Sequence, residues 1–116
     1  MKILLLDDEE SLLDAVQRHL TSNKHEVVCS TDPEEAVTLI ETGDFDFAFI
    51  DFNMPVKNGI WFMKNANIPK ETKVLLMTAY VNREVINEMF KLGARGYLIK
   101  PFSGDEIDQH LEFHAS

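Results

Sequence analysis

Four short apolar runs each stop at a polar residue, and no other feature limits the possible folds so tightly. Ile3-Leu4-Leu5-Leu6 runs into Asp7-Asp8, Phe47-Ala48-Phe49-Ile50 into Asp51, Val74-Leu75-Leu76-Met77 into Thr78, and Tyr97-Leu98-Ile99 into Lys100. Apolar runs without alternation suit strands covered on both faces, as in a parallel α/β sheet. Ligands of such sheets bind outside the carboxyl ends of the strands. The residues that end the runs would meet there: three carboxylates, a hydroxyl and an ammonium, a set suited to a metal ion and a phosphoryl group.

Helical patterns lie between the runs. Leu12, Leu13, Val16 and Leu20 form one apolar face opposite Gln17, Arg18 and Thr21, with Glu9 and Glu10 near the first turn, where negative charge is favoured. Asp32 before Pro33 is a natural N-cap, Ala36, Val37 and Ile40 supply an inner face, and Gly43 can end that helix. A short third helix is expected from about Gly59 to Ala66, before Pro69. Val85, Ile86, Met89 and Phe90 mark a fourth that Gly93 closes, and Ser103 with Glu106 forms a capping box for a fifth with Ile107 and Leu111 inward. With the apolar stretch Val27-Val28-Cys29, five strands alternate with five helices, which predicts right-handed crossovers and a doubly wound parallel sheet.

The composition narrows the function. A chain of 116 residues forms one domain that needs no staples, and its single cysteine, Cys29, reads as a small buried hydrophobe rather than a reactive thiol. The first apolar run is too short for a signal peptide, and no run approaches the roughly 20 residues of a membrane span, so a soluble cytoplasmic protein is expected. A net charge of -9 opposes direct contact with nucleic acid and favours cationic partners or metal ions.

The ordered set Asp7-Asp8-Glu9, Asp51, Met54-Pro55-Val56-Lys57-Asn58-Gly59, Thr78-Ala79 and Lys100-Pro101-Phe102 resembles the receiver domain of bacterial two-component response regulators over the whole chain, 1–116. The resemblance implies the flavodoxin-like sheet order 2-1-3-4-5. It makes Asp51 the phosphoacceptor, Asp8 and Asp51 direct Mg²⁺ ligands joined by the Asn53 carbonyl, and Asp7 a ligand through water. It pairs Lys100 with Asp51 at rest and with a phosphoryl oxygen afterwards, across a cis Lys100-Pro101 bond. Thr78 and Tyr97 become the switch, with Asn53 and Tyr80 flanking the phosphoryl group.

The implied function is a phosphorylation-controlled switch rather than an enzyme. A sensor histidine kinase or phosphotransfer protein would donate the group, and the face of helix 4, strand 5 and helix 5 would change for an output domain, a partner or a phosphorylation-dependent homodimer. Two other classes fit less well. An aspartyl-phosphate phosphatase needs a second acid where Asp51-Phe52-Asn53 has none, and a flavodoxin-like cofactor binder needs a phosphate cradle where Asp7-Asp8-Glu9-Glu10 would repel one. His110 and His114, at i and i+4, read as a solvated helix end rather than a zinc site, and parts of Trp61, Phe62 and Met63 left exposed would serve docking. The ending His114-Ala115-Ser116 fits an excised piece and a complete short protein alike.

Overall fold

A computed structural model describes residues 1–115; Ser116, the last residue of the expected domain, lies outside the described residues. The element order is β1 (Lys2–Leu6), α1 (Glu10–Ser22), β2 (Glu26–Ser30), α2 (Pro33–Thr42), β3 (Phe47–Asp51), α3 (Gly59–Asn65), β4 (Lys73–Thr78), α4 (Arg83–Lys91), β5 (Gly96–Ile99) and α5 (Gly104–His114). The strands form one parallel sheet in the order β2-β1-β3-β4-β5. The chain therefore reverses its winding direction between β1 and β3, where an open sheet leaves a crevice.

The runs lack alternation because both faces of the sheet are covered. Leu4, Leu6, Ala48, Ile50 and Leu76 point into a core with Ala36, Ile40, Phe62 and Met89 of α2 to α4. Their neighbours Ile3, Leu5, Phe47, Phe49, Leu75 and Met77 point the other way, against Leu13, Val16 and Leu20 of α1 and Ile107 and Leu111 of α5. The central strands are buried along almost their whole length, whereas β2 at the edge is largely half-buried. That edge position corrects the expectation for Cys29, which is half-buried rather than enclosed. Burial and then the Asp14 carboxylate still push its thiol pKa up, which keeps it unreactive.

Helices α2 to α5 each start at a side-chain cap, and α1 has none. Asp32 Oδ1 accepts the Glu34 N–H at 3.0 Å and Ser103 Oγ accepts that of Glu106 at 3.2 Å, as the sequence predicts. Two further caps, Asn58 on Trp61 N–H and Asn82 on the N–H groups of Glu84 and Val85, open α3 and α4. Gly93 ends α4 with φ 115, a conformation open to glycine. Gly43 caps the end of α2 as expected, but with φ -96, and it is Asp44 that adopts the left-handed conformation, φ 54. Gly43 is required for space, since a Cβ there would lie 2.4 Å from the Phe45 ring.

Candidate functional site

The strand register brings the ends of the apolar runs to one edge. Asp51 is level with Met77, and Thr78 with Ile99. Backbone bonds continue past the strand ends: Asp7 N–H donates to Ser30 carbonyl at 3.2 Å, Phe52 N–H to Met77 at 2.9 Å, and Lys100 N–H to Thr78 at 2.7 Å. Each polar side chain is thus carried on a paired backbone. Asp7, Asp51 and Thr78 are buried, while Asp8 is exposed.

Ligand oxygens of Asp7, Asp8 and Asp51 all lie within 4.8 Å of one another, so the three acids converge as expected. Lys100 reaches this cluster from β5. Its Nζ lies 2.7 Å from Asp7 Oδ2 and 3.2 Å from Asp51 Oδ1, across a cis Lys100-Pro101 bond. The expected ion pair with Asp51 is present, and the ammonium also bridges to Asp7, to which it stands nearer. Both carboxylates are buried, and a lysine brought among them needs the counter-charge that each supplies.

The two carboxylates differ in what remains free. Asp7 Oδ1 accepts the Glu9 N–H at 2.9 Å and Oδ2 takes the lysine, so both oxygens are engaged. Asp51 Oδ1 accepts the Asn53 N–H at 3.2 Å and faces Lys100. No hydrogen bond falls on Asp51 Oδ2, and no buried side-chain oxygen among the described residues lacks a partner, so Oδ2 is open to solvent. It is the atom an incoming electrophile can reach.

Burial, and then the neighbouring Asp7 charge, push the Asp51 pKa up from 3.8 to about 6, against the pull of Lys100 and the Asn53 N–H. Burial acts to lower the Lys100 pKa, but the Asp7 hydrogen bond and the charges of both acids outweigh it and hold it above the usual lysine range. At neutral pH Asp51 is therefore ionised beside the Lys100 ammonium. Hard oxygen donors, one on an exposed side chain, fit a divalent cation such as Mg²⁺, which keeps several waters.

The switch candidates make other contacts. Thr78 Oγ1 donates to the Tyr80 carbonyl at 2.8 Å and accepts the Tyr80 N–H at 3.2 Å, so its hydroxyl is committed to the loop before α4. Tyr97 is level with Leu76 on β4, packs on the α2 to α4 side of the sheet, and has its ring 6.3 Å from that of Phe90. Thr78 and Tyr97 thus share a sheet face on adjacent strands, and Thr78 directly follows Met77, the residue level with Asp51. Asn53 and Tyr80 are both exposed at the mouth of the site. Sequence reasoning missed the supporting donors, above all the Glu9 N–H on Asp7; the adjacent acids ahead of a helix start were the only signal for it.

A protein-family model described as "Response regulator receiver domain" matches residues 3–112. The chain belongs to that family. Receivers of this kind are signalling proteins of two-component systems rather than classical enzymes. The chain is 35% identical over 119 residues to chemotaxis protein CheY-3 of Vibrio cholerae, covering 97% of this chain and 89% of that one. The crystal structure of Vibrio cholerae chemotaxis protein CheY4 superposes with a TM-score of 0.89 at 30% identity, covering 97% and 96% of the two chains. The receiver domain of the Pseudomonas aeruginosa sensor histidine kinase PA1611, solved with a magnesium ion in its active site cleft, shares the fold with a TM-score of 0.83 at 23% identity, over 97% and 94% of the chains. No helix among the described residues is long and apolar enough to cross a membrane.

Proposed function

We propose that residues 1–116 form a receiver domain in which Asp51 accepts a phosphoryl group from the phosphohistidine of a sensor histidine kinase or phosphotransfer protein. The observation that carries this reading is the open Oδ2 of Asp51 beside a buried lysine and two further acids. Asp51 Oδ2 forms the bond to phosphorus as the bond from phosphorus to the imidazole nitrogen breaks, and the departing electron pair returns to the imidazole. A buried, desolvated carboxylate is a competent nucleophile once the charge it meets is neutralised.

Asp8, Asp51 and the Asn53 carbonyl are the groups that would hold Mg²⁺, with Asp7 acting through a bound water because its own oxygens are engaged. When bound, the ion would supply positive charge that offsets the charge of the incoming phosphoryl group. Lys100 supplies the second cation, already placed at 3.2 Å from Asp51. Thr78, released from Tyr80, donates its hydroxyl to a phosphoryl oxygen, and Tyr97 turns into the space left on the same sheet face. The face of α4, β5 and α5 then differs between the two states and is read by an output domain, a protein partner or a second copy of the chain.

Incubation with Mg²⁺ and a small phosphodonor should add one phosphoryl group that hydroxylamine removes, with no addition to Asp51→Asn and none in the presence of chelator. Labelling of Asp51→Asn at the wild-type rate would assign the acceptor elsewhere. Unchanged labelling with chelator would remove the metal from the reaction.

A further inference from the structure

We propose that the groove between α4 and α5 takes an extended segment of a partner protein as an added strand of the sheet, laid along the free edge of β5. The inference rests on the reading of the α4, β5 and α5 face given above, and it names how that face holds a partner.

β5 pairs only with β4, so one of its edges is open. The register shows which groups stand on it. The Met77 carbonyl accepts the Phe52 N–H beyond β3, so the neighbouring Leu76 turns toward β5. Leu76 is level with Tyr97 and therefore bonds the residues on either side of it, Gly96 and Leu98. Thr78, level with Ile99, does the same for Leu98 and Lys100, whose N–H it accepts at 2.7 Å. The N–H and C=O groups of Tyr97 and Ile99 are left pointing outward, and among the described residues no loop or cap backbone bonds them. Such a row is a template for another strand.

The edge forms the floor of a groove of about 590 Å³, walled by Phe90 of α4 and by Gln109, His110 and Phe113 of α5. Phe90, Ile99 and Phe113 are large apolar side chains left exposed there. Tyr97 packs on the α4 side, and Ile99, two residues on, shares it. Side chains of an added strand would alternate between the walls, so apolar residues at every second position would cover Phe90 and Ile99.

The walls decide the occupant. A second copy carries its own α4 and α5 beside β5, so two floors recessed between such walls do not meet, and each chain has a net charge of -9. A free strand reaches the floor. Arg95 stands at the start of β5 and Glu106 at the far end, because α5 runs back to bring His114 beside Gly96. Neither forms an ion pair among the described residues. An antiparallel strand sets its C-terminal end at Arg95, so the segment carries an acidic residue there, a basic one near its N-terminal end and alternating apolar residues between.

The probe is the peptide acetyl-Lys-Val-Thr-Val-Thr-Val-Asp-amide, titrated into the whole unphosphorylated chain and followed by amide hydrogen exchange. Exchange at Tyr97 and Ile99 should slow by at least about tenfold, while Gly96 and Leu98, already in the ladder, stay unchanged. Alternate residues of the peptide face β5, so N-methylation of its valines and of its threonines should differ: one set weakens binding by at least about tenfold and the other leaves it intact. Arg95→Gln should weaken binding by about threefold. No slowing at millimolar peptide, an equal loss from the two N-methyl sets, or slowing without peptide that grows with chain concentration, the sign of a second copy, would each overturn the proposal. Phosphoryl uptake by Asp51 is measured on the same sample, so a failed groove and a failed phosphoacceptor give different results.

Discussion

Asp51 is held where its own charge is unfavourable. Burial and the Asp7 carboxylate raise its pKa to about 6, so between the unfolded value of 3.8 and that value the folded chain binds the extra proton. The contribution of this group to stability is therefore greatest at low pH and declines as pH rises through that window. Asp51→Asn removes the penalty and should stabilise the fold at neutral pH by about 1–3 kcal/mol, with the gain vanishing below the unfolded value. Urea denaturation without divalent cations checks this, and a destabilised variant would contradict the desolvation argument. Val56 carries a different cost. It is fully exposed and β-branched yet has φ 69, in the loop that follows Asp51 and Asn53. Nothing it touches offsets that conformation, so Val56→Gly should raise stability by about 1 kcal/mol. An unchanged slope with a higher urea midpoint is the expected signature.

Among the elements, how well the sequence could be read follows from what holds each one. The central strands were legible because burial on both faces leaves an uninterrupted apolar run. Edge strand β2 offered only Val27, Val28 and Cys29, and its cysteine is less enclosed than the run suggests. Helices α1, α2 and α5 announce themselves by apolar spacing or a cap. α3 has only 7 residues, and it depends on Asn58 and on packing of Phe62 and Met63 rather than on propensity. The Asn58 and Asn82 caps were not read, because asparagine suits turns as well as helix starts. Asn82 accepts two backbone N–H groups, at 3.0 and 3.2 Å, where the loop after Thr78 enters α4. Asn82→Ala should cost about 1 kcal/mol, and it should raise amide exchange in the first turn of α4 before any other helix. Uniform exchange changes would show that the cap is not local to that helix.

At the scale of the whole molecule, the ends of the runs and the Lys100–Asp51 pair were legible, and the bond from Lys100 to Asp7 was not. Each run names the group at its end, but Lys100 and Asp7 are 93 positions apart, and only the assembled sheet shows that the lysine sits closer to Asp7 than to Asp51. That sharing bears on the proposed switch. A signal passes only if the phosphoryl group binds one conformation better than the other, and Lys100 is already bonded before any phosphoryl group arrives. Its contribution is therefore the difference between two bonded states. A hydrogen bond to a charged group contributes about 1.5–3 kcal/mol, which sets an upper bound of roughly a hundredfold on the bias from this one residue. On the proposed reading, Thr78 and Tyr97 would supply the remainder. Lys100→Ala should still take up the phosphoryl group, yet lose at least about tenfold of the phosphorylation-dependent gain in partner affinity or self-association. Sedimentation and partner titration of the phosphorylated variant measure that loss. A full response would assign the switch to Thr78 and Tyr97 alone and leave Lys100 only the neutralisation of the two acids.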